Sequence, residues 1–265
     1  MTLSPFRYPG GKSRLLPIIM PYLNDMLQDS FSDGFVGGGS VLLEVASKYP
    51  NISLFANDKD YWIYCFWKIV SDNDRSQLDE LFRLMRFQPI IKMFNEMRQK
   101  NPTSEVEAAY YAIFFNRTTF SGIATSGPIG GQEQQSKWTM DCRYNYPKLK
   151  SKIEKCHALL KGRTTVENKD IIEYNYLTDS NLPIYLDSPY FIKGDMLYRA
   201  KMDNSHHEKL ADILSKRTNW VSSYDDCFEI RSLYKNNKII DMAARYSING
   251  NKTNWKGKNE LIIIP

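Results

Sequence analysis

Cysteine and histidine are scarce in this sequence. The four cysteines, Cys65, Cys142, Cys156 and Cys227, lie far apart and form no CxxC pair. That spacing argues against both a zinc site and a disulfide framework, and the four read as reduced thiols. Two of the three histidines, His206 and His207, are adjacent at the start of a helical stretch. Neighbours on a helix do not face one site, so no metal site is expected. Long apolar runs are missing as well: none approaches the roughly 18 residues that a membrane span needs. The N-terminus lacks the basic-then-apolar layout of a signal peptide. A cytoplasmic, monomeric protein with no membrane partner is expected. Hydrophobic residues at 42% and charged residues at 25% match ordinary globular usage, which excludes disordered and fibrous classes.

What is present is an uneven distribution of charge. The net charge of +5 conceals a segment, residues 83–163, with 14 Lys/Arg against 6 Asp/Glu, and a second, residues 231–258, with 7 against 1. The remainder of the chain is acidic. Positive charge concentrated in two segments of an otherwise acidic chain points to a surface that meets a polyanion, with nucleic acid the natural partner. A lysine run such as Lys148, Lys150, Lys152, Lys155 and Lys161 is equally compatible, taken alone, with a solvated helix face.

The first 70 residues read as a helix at 14–27, a strand at 31–35, a glycine turn, a helix at 40–48, a strand at 52–56 and a helix at 61–70. From 72 to 163 the character changes. Helix-like stretches at 74–100 and 104–116 precede a Gly/Ser/Gln-rich loop at 121–136, long enough to suggest a functional segment. Strands then resume at 164–167, 183–186, 220–223, 238–242 and 261–264, with a helix at 205–216. Strands alternating with helices imply a largely parallel sheet covered on both faces. We expect an α/β domain from residues 1–71 and 164–265, with 72–163 inserted.

Three motifs carry chemistry. Asp33-Gly34-Phe35-Val36-Gly37-Gly38-Gly39-Ser40-Val41 sits at a strand-to-helix turn, where glycines let the backbone approach a ligand at the carboxyl end of a sheet. Leu42 stands where a dinucleotide fingerprint needs Gly or Ala, which disfavours NAD. A tight turn is the plain alternative, but Asp58 at the end of the next strand is placed to accept hydrogen bonds from ribose hydroxyls. The second motif, Tyr8-Pro9-Gly10-Gly11-Lys12-Ser13, has the tail of a phosphate-binding P-loop but carries Phe6 where that loop requires glycine, and no strand precedes it.

The third motif is the apolar strand ending in Asp187-Ser188-Pro189-Tyr190-Phe191. An exocyclic amine on a nucleobase is a poor nucleophile, because its lone pair is delocalised into the ring. A carboxylate with a main-chain carbonyl beside it accepts both amine hydrogens and favours the pyramidal geometry. Tyr190 is suited to stack on the base, which must leave the duplex to be reached. The same residues also fit an ordinary strand-end turn.

Together and in this order, the motifs resemble the Dam-like, D12-class adenine-N6 DNA methyltransferases over essentially the whole chain. Tyr8 to Lys12 is similar to that family's N-terminal cofactor motif, residues 33–41 to its DxFxGxGxV loop, and Asn57-Asp58 to its ribose-binding acid. Asn116-Arg117 through Gly122 resembles its NRxxxxG stretch. Residues 166–170 resemble the segment whose acid, here Asp170, meets the cofactor adenine. Asp187-Ser188-Pro189-Tyr190 stands at its DPPY motif, and Tyr246 to Gly250 matches its C-terminal end.

The resemblance implies a Rossmann-like, seven-stranded, S-adenosylmethionine-dependent methyltransferase fold with an inserted, mainly helical DNA-recognition subdomain. The implied partner is double-stranded DNA. Cofactor residues would be Tyr8, Gly11, Lys12, Asp33, Phe35, Gly37, Gly39, Asp58, Asp170 and Asp187; catalytic residues Asp187, Ser188, Pro189 and Tyr190; and DNA contacts Asn116, Arg117, Lys137, Arg143, Asn249 and Lys252. Transfer is expected to be direct, without metal or covalent enzyme intermediate. Serine at 188, where the family usually has proline, keeps the carbonyl but not the fixed φ. It leaves open a catalytically impaired homologue that only binds DNA and cofactor. Cytosine-N4 methylation is the rival chemistry, and the family's GATC preference is not carried over.

Overall fold

The computed structural model describes residues 3–7, 11–191, 199–200, 202–244 and 258–265, without the side chains of 243, 244, 258 and 259. Tyr8, Asn249 and Lys252, and the stretch from Tyr246 to Gly250, lie outside the described residues.

Seven strands form one sheet: β1 (Ser30–Asp33), β2 (Ser53–Asn57), β3 (Thr164–Glu167), β4 (Ile184–Asp187), β5 (Trp220–Asp225), β6 (Lys238–Ala244) and β7 (Lys258–Ile264). Their order is β3-β2-β1-β4-β5-β7-β6. The first five run parallel, and β7 lies antiparallel between β5 and β6. The chain builds outward from β1 through β2 to β3, then crosses back to begin β4 on the other side of β1. This reversal opens a crevice at the carboxyl ends of β1 and β4, the position at which open α/β sheets bind ligands.

Side-chain alternation along the strands assigns the two faces. Tyr185, Val221 and Ile262 join a core beneath α1 (Leu16–Asn24), α2 (Ser40–Lys48) and α3 (Tyr61–Ser71). Ile184, Leu186, Trp220, Tyr224, Leu261 and Ile263 face the opposite core, with Leu210 and Leu214 of α8 (Asn204–Leu214) and Ile230 of α9 (Phe228–Leu233). By the same alternation Asp187 falls on the face of Tyr185.

Between α3 and β3 the chain forms α4 (Ser76–Met85), α5 (Ile91–Gln99), α6 (Glu105–Thr118) and α7 (Tyr146–Leu160). The single helical stretch expected over 74–100 is two helices. Pro89 lacks an N–H and disfavours helical geometry in the residue before it, so the chain breaks there. Ser104 caps α6 by accepting from Glu107 N at 3.1 Å, and the Glu107 carboxylate accepts from Thr103 N at 2.6 Å. The apolar run 108–115 leaves α6 no polar stripe, and it is buried on almost every side, packed along α3 and α4. The helices of this segment therefore share one core with the sheet. Among the described residues no helix is long and apolar enough to cross a membrane.

Candidate active site

A solvent-open cleft of roughly 900 Å³ lies at the carboxyl ends of β1, β2 and β4. Its floor is the turn after β1. Gly37 and Gly39 have φ of +42° and +68°, in the left-handed region. A Cβ on Gly39 would stand 2.4 Å from Trp67 Cζ2, so glycine is required there on both counts. Trp67 Nε1 donates to Gly37 O at 2.8 Å, and Ser4 Oγ donates to Gly38 O at 2.5 Å. The loop is thus fixed from behind, while Gly37, Gly38 and Gly39 line the cleft.

Asp58 accepts from Gly37 N at 2.8 Å and from Asp60 N at 2.9 Å. Burial, with the Asp60 charge beside it, pushes its pKa up to about 7 despite these bonds. Asp33 ends β1 only 2% exposed, and burial together with Asp187 raises its pKa well above the carboxylate range. Its Oδ1 is buried and has no hydrogen-bond partner among the described residues. Asp170 Oδ2 accepts from Lys59 Nζ at 2.7 Å and lies 3.3 Å from His206 Nε2. Burial works against the Asp170 charge, but these partners outweigh it and hold the pKa below the usual value.

Lys12 lines the cleft as well. Its ammonium, 3% exposed, lies 2.6 Å from Asp187 Oδ1 and 2.6 Å from Glu260 Oε1, and 5.7 Å from the centre of the Tyr190 ring. Burial alone would lower its pKa; the two carboxylates raise it well above the ordinary value. Ser223 Oγ also donates to Asp187 Oδ1, at 3.0 Å. Asp187 is still 28% exposed and lines the cleft. Burial raises its pKa, against the opposing effect of Lys12.

Of the four residues expected to be catalytic, Asp187 and Pro189 line the cleft, whereas Ser188 and Tyr190 are buried at 1% and 6% exposure. Gly11, Lys12, Asp33, Phe35, Gly37, Gly39, Asp58 and Asp170 all line the same cleft. Sequence reasoning missed four contributors. Asn57 ties the turn to the β3 loop, donating to Gly34 O and Lys169 O and accepting from Lys169 N at 3.0 Å. Glu260 and Ser223 hold the Lys12–Asp187 pair. Arg199, on the cleft lip, lies 3.1 Å above the Trp62 ring and 3.4 Å from Asp60. A glutamate in the apolar run Glu260-Leu261-Ile262-Ile263-Ile264, and the serine pair inside β5, were the available signals.

The DNA contacts expected in the insert divide by location. Lys137 and Arg143 are exposed. Asn116 is 4% exposed and its amide is fully engaged, accepting from Arg7 N at 2.7 Å and donating to Arg7 O and Gly122 O at 3.0 and 3.3 Å. It fastens the N-terminal segment to the insert and has no surface to offer a base. Arg117 donates to Pro5 O, and burial, with Arg7 and Arg143 near it, pushes its pKa down to about 10. Among the described residues Arg7, Arg117 and Arg143 have no carboxylate partner.

A parallel sheet with β7 reversed, a glycine turn and acids at the switch point define a Rossmann-like methyltransferase fold. Comparison with known proteins gives the family. Residues 8–248 match the D12 class N6 adenine-specific DNA methyltransferases, and the chain belongs to that family. It is similar to the Type II methyltransferase M.MjaIII of Methanocaldococcus jannaschii, with 26% identity over 210 residues, covering 72% of this chain and 70% of the relative.

Proposed function

We propose that this methyltransferase uses S-adenosylmethionine to methylate the N6 amine of an adenine turned out of duplex DNA. The observation that carries the reading is Asp187, whose Oδ1 is fixed by Lys12 and Ser223 while the side chain stays 28% exposed in the cleft floored by the glycine turn.

The cleft suits the cofactor. An orphaned, buried Asp33 Oδ1 needs a donor, and a ligand ammonium is one. Asp58 has acceptor capacity beyond its two main-chain bonds for a pair of ribose hydroxyls. Gly37, Gly38 and Gly39 line the cleft together with Asp33, Asp58, Asp60, Asp170 and Asp187, and such an acidic lining favours a cationic ligand. Bound there, S-adenosylmethionine supplies an electrophilic methyl carbon on a sulfonium sulfur.

The Asp187 carboxylate accepts an N6 hydrogen, which localises the nitrogen lone pair toward the methyl. With S-adenosylmethionine bound, the proton that the amine nitrogen sheds on methylation would pass to the Asp187 carboxylate. Lys12 keeps Asp187 from turning away, so the cost of aligning it is met on folding rather than at each turnover. Base flipping follows from the recessed position of Asp187. Residues 72–163, with exposed Lys137 and with Arg143 near Arg7 and Arg117, form the recognition subdomain and the phosphate-facing surface. The family description favours adenine over cytosine, and the relative's Type II designation supports a restriction-modification role.

Labelled S-adenosylmethionine incubated with mixed-sequence duplex DNA tests the reading. Label should enter DNA and be lost in Asp187→Ala; binding of the cofactor without any transfer would instead make the chain a binding protein.

A further inference from the structure

Proline at the second position of the catalytic motif would fix the backbone beside the catalytic carboxylate; this chain has Ser188. The neighbouring strand replaces that constraint. β4 ends at Asp187, paired with Ser223, while β5 runs on to Asp225 along the loop 188–191.

Four successive β5 residues meet the motif in order. Ser222 Oγ donates to Leu186 O at 3.1 Å. Ser223 Oγ donates to Asp187 Oδ1 at 3.0 Å and lies 2.8 Å from the Tyr185 hydroxyl. The Tyr224 hydroxyl lies near the buried Ser188 side chain, whose Oγ has no hydrogen-bond partner among the described residues, and 3.1 Å from His207 Nδ1. Asp225 Oδ1 accepts from Phe191 N at 2.9 Å. The His207 ring packs between Phe191 and Tyr224, with centroids at 5.1 and 5.6 Å. Ser222 and Ser223 are both fully buried in a central strand, where a hydroxyl is costly unless bonded. Their described hydroxyl bonds go to β4.

We propose that β5 holds the catalytic loop in place of proline, with Asp225 as the positioning residue that closes the loop's far end and Tyr224 packing against Ser188. The inference rests on Asp187 being the carboxylate that receives the amine. It requires positions 188 and 225 to be energetically coupled.

The test compares Asp225→Ala, Asp225→Asn and Asp225→Ala combined with Ser188→Pro, in the full chain, by amide hydrogen exchange over residues 186–191 and by steady-state methyl transfer. Asp225→Ala should speed exchange in that segment and lower kcat roughly tenfold, with KM for S-adenosylmethionine within about twofold. Asp225→Asn keeps the acceptor for Phe191 N and should retain more than half the activity. Adding Ser188→Pro to Asp225→Ala should restore most of the lost protection and rate. Unchanged exchange in Asp225→Ala overturns the proposal, as does asparagine being as damaging as alanine, or proline restoring nothing. Should Asp225→Ala fail to fold, Tyr224→Phe replaces it, with faster exchange over 186–191 expected and unchanged exchange contradicting the proposal. Absence of methyl transfer by the unaltered protein would fail the functional reading, while the exchange comparison would still decide the positioning.

Discussion

Lys12 Nζ and Asp187 Oδ1 are 2.6 Å apart, with Glu260 on the far side of the ammonium. A lysine from the N-terminal motif is thus joined to the carboxylate that ends β4. Removing the cation leaves two carboxylates close together in a buried site. Lys12→Met should therefore destabilise the fold by about 3–5 kcal/mol, read from urea unfolding, and abolish transfer. Glu260→Gln keeps the shape and should be milder in both. Equal stability of Lys12→Met and the parent chain would contradict the pairing.

Asp58 gives a pH dependence of definite sign. Its folded pKa, about 7, lies above the ordinary 3.8. The folded state therefore binds the extra proton between those values, and the contribution of Asp58 to stability declines as pH rises from about 4 to 7. A ligand whose hydroxyls donate to the ionised carboxylate shows the opposite trend. Affinity for S-adenosylmethionine should rise with pH below about 7 and level off above it, while Asp58→Asn should bind weakly and flatten the dependence. Calorimetric titration from pH 5.5 to 8.5 measures both.

Gly39 is held at φ +68° against Trp67. Gly39→Ala adds left-handed strain of about 1–2 kcal/mol and a clash with the indole. The expected result is a lower melting temperature together with loss of cofactor binding. Gly131 is also at positive φ but has open space around it, so its alanine variant carries the strain alone and should keep cofactor affinity.

Neighbouring residues of the insert should behave differently. Arg143→Ala, at the surface, should weaken DNA binding and reduce the slope of log affinity against log salt by about one, without loss of stability. Asn116→Ala should instead lower stability by about 1–3 kcal/mol, since it strands buried partners on Arg7 and Gly122. A salt titration of DNA binding beside thermal melts separates the two.

Much of this was legible in the sequence, because strand periodicity and glycine turns are local properties. All seven strands were located within a few residues, and the glycine turn, Asp58, Asp170 and Asp187 line one cleft, in keeping with the family resemblance. The residues that escaped notice act across the sheet. Glu260 is distant from Lys12 in the chain and meets it only because β7 is inserted beside β5. Asn116 reads as a polar recognition residue, yet the N-terminal segment folds over it. Tyr190 looks like an exposed stacking ring but is buried beneath Lys12. A sequence reports residue type and spacing; burial by a distant segment is set by the sheet order.

The central claim is transfer to the adenine amine at Asp187. The most direct measurement is digestion of enzyme-treated DNA to nucleosides, followed by mass analysis, for the parent chain and Asp187→Ala. The account predicts N6-methyladenine from the parent and a fall of at least about a hundredfold in the variant. N4-methylcytosine in its place, or N6-methyladenine undiminished in Asp187→Ala, would contradict it.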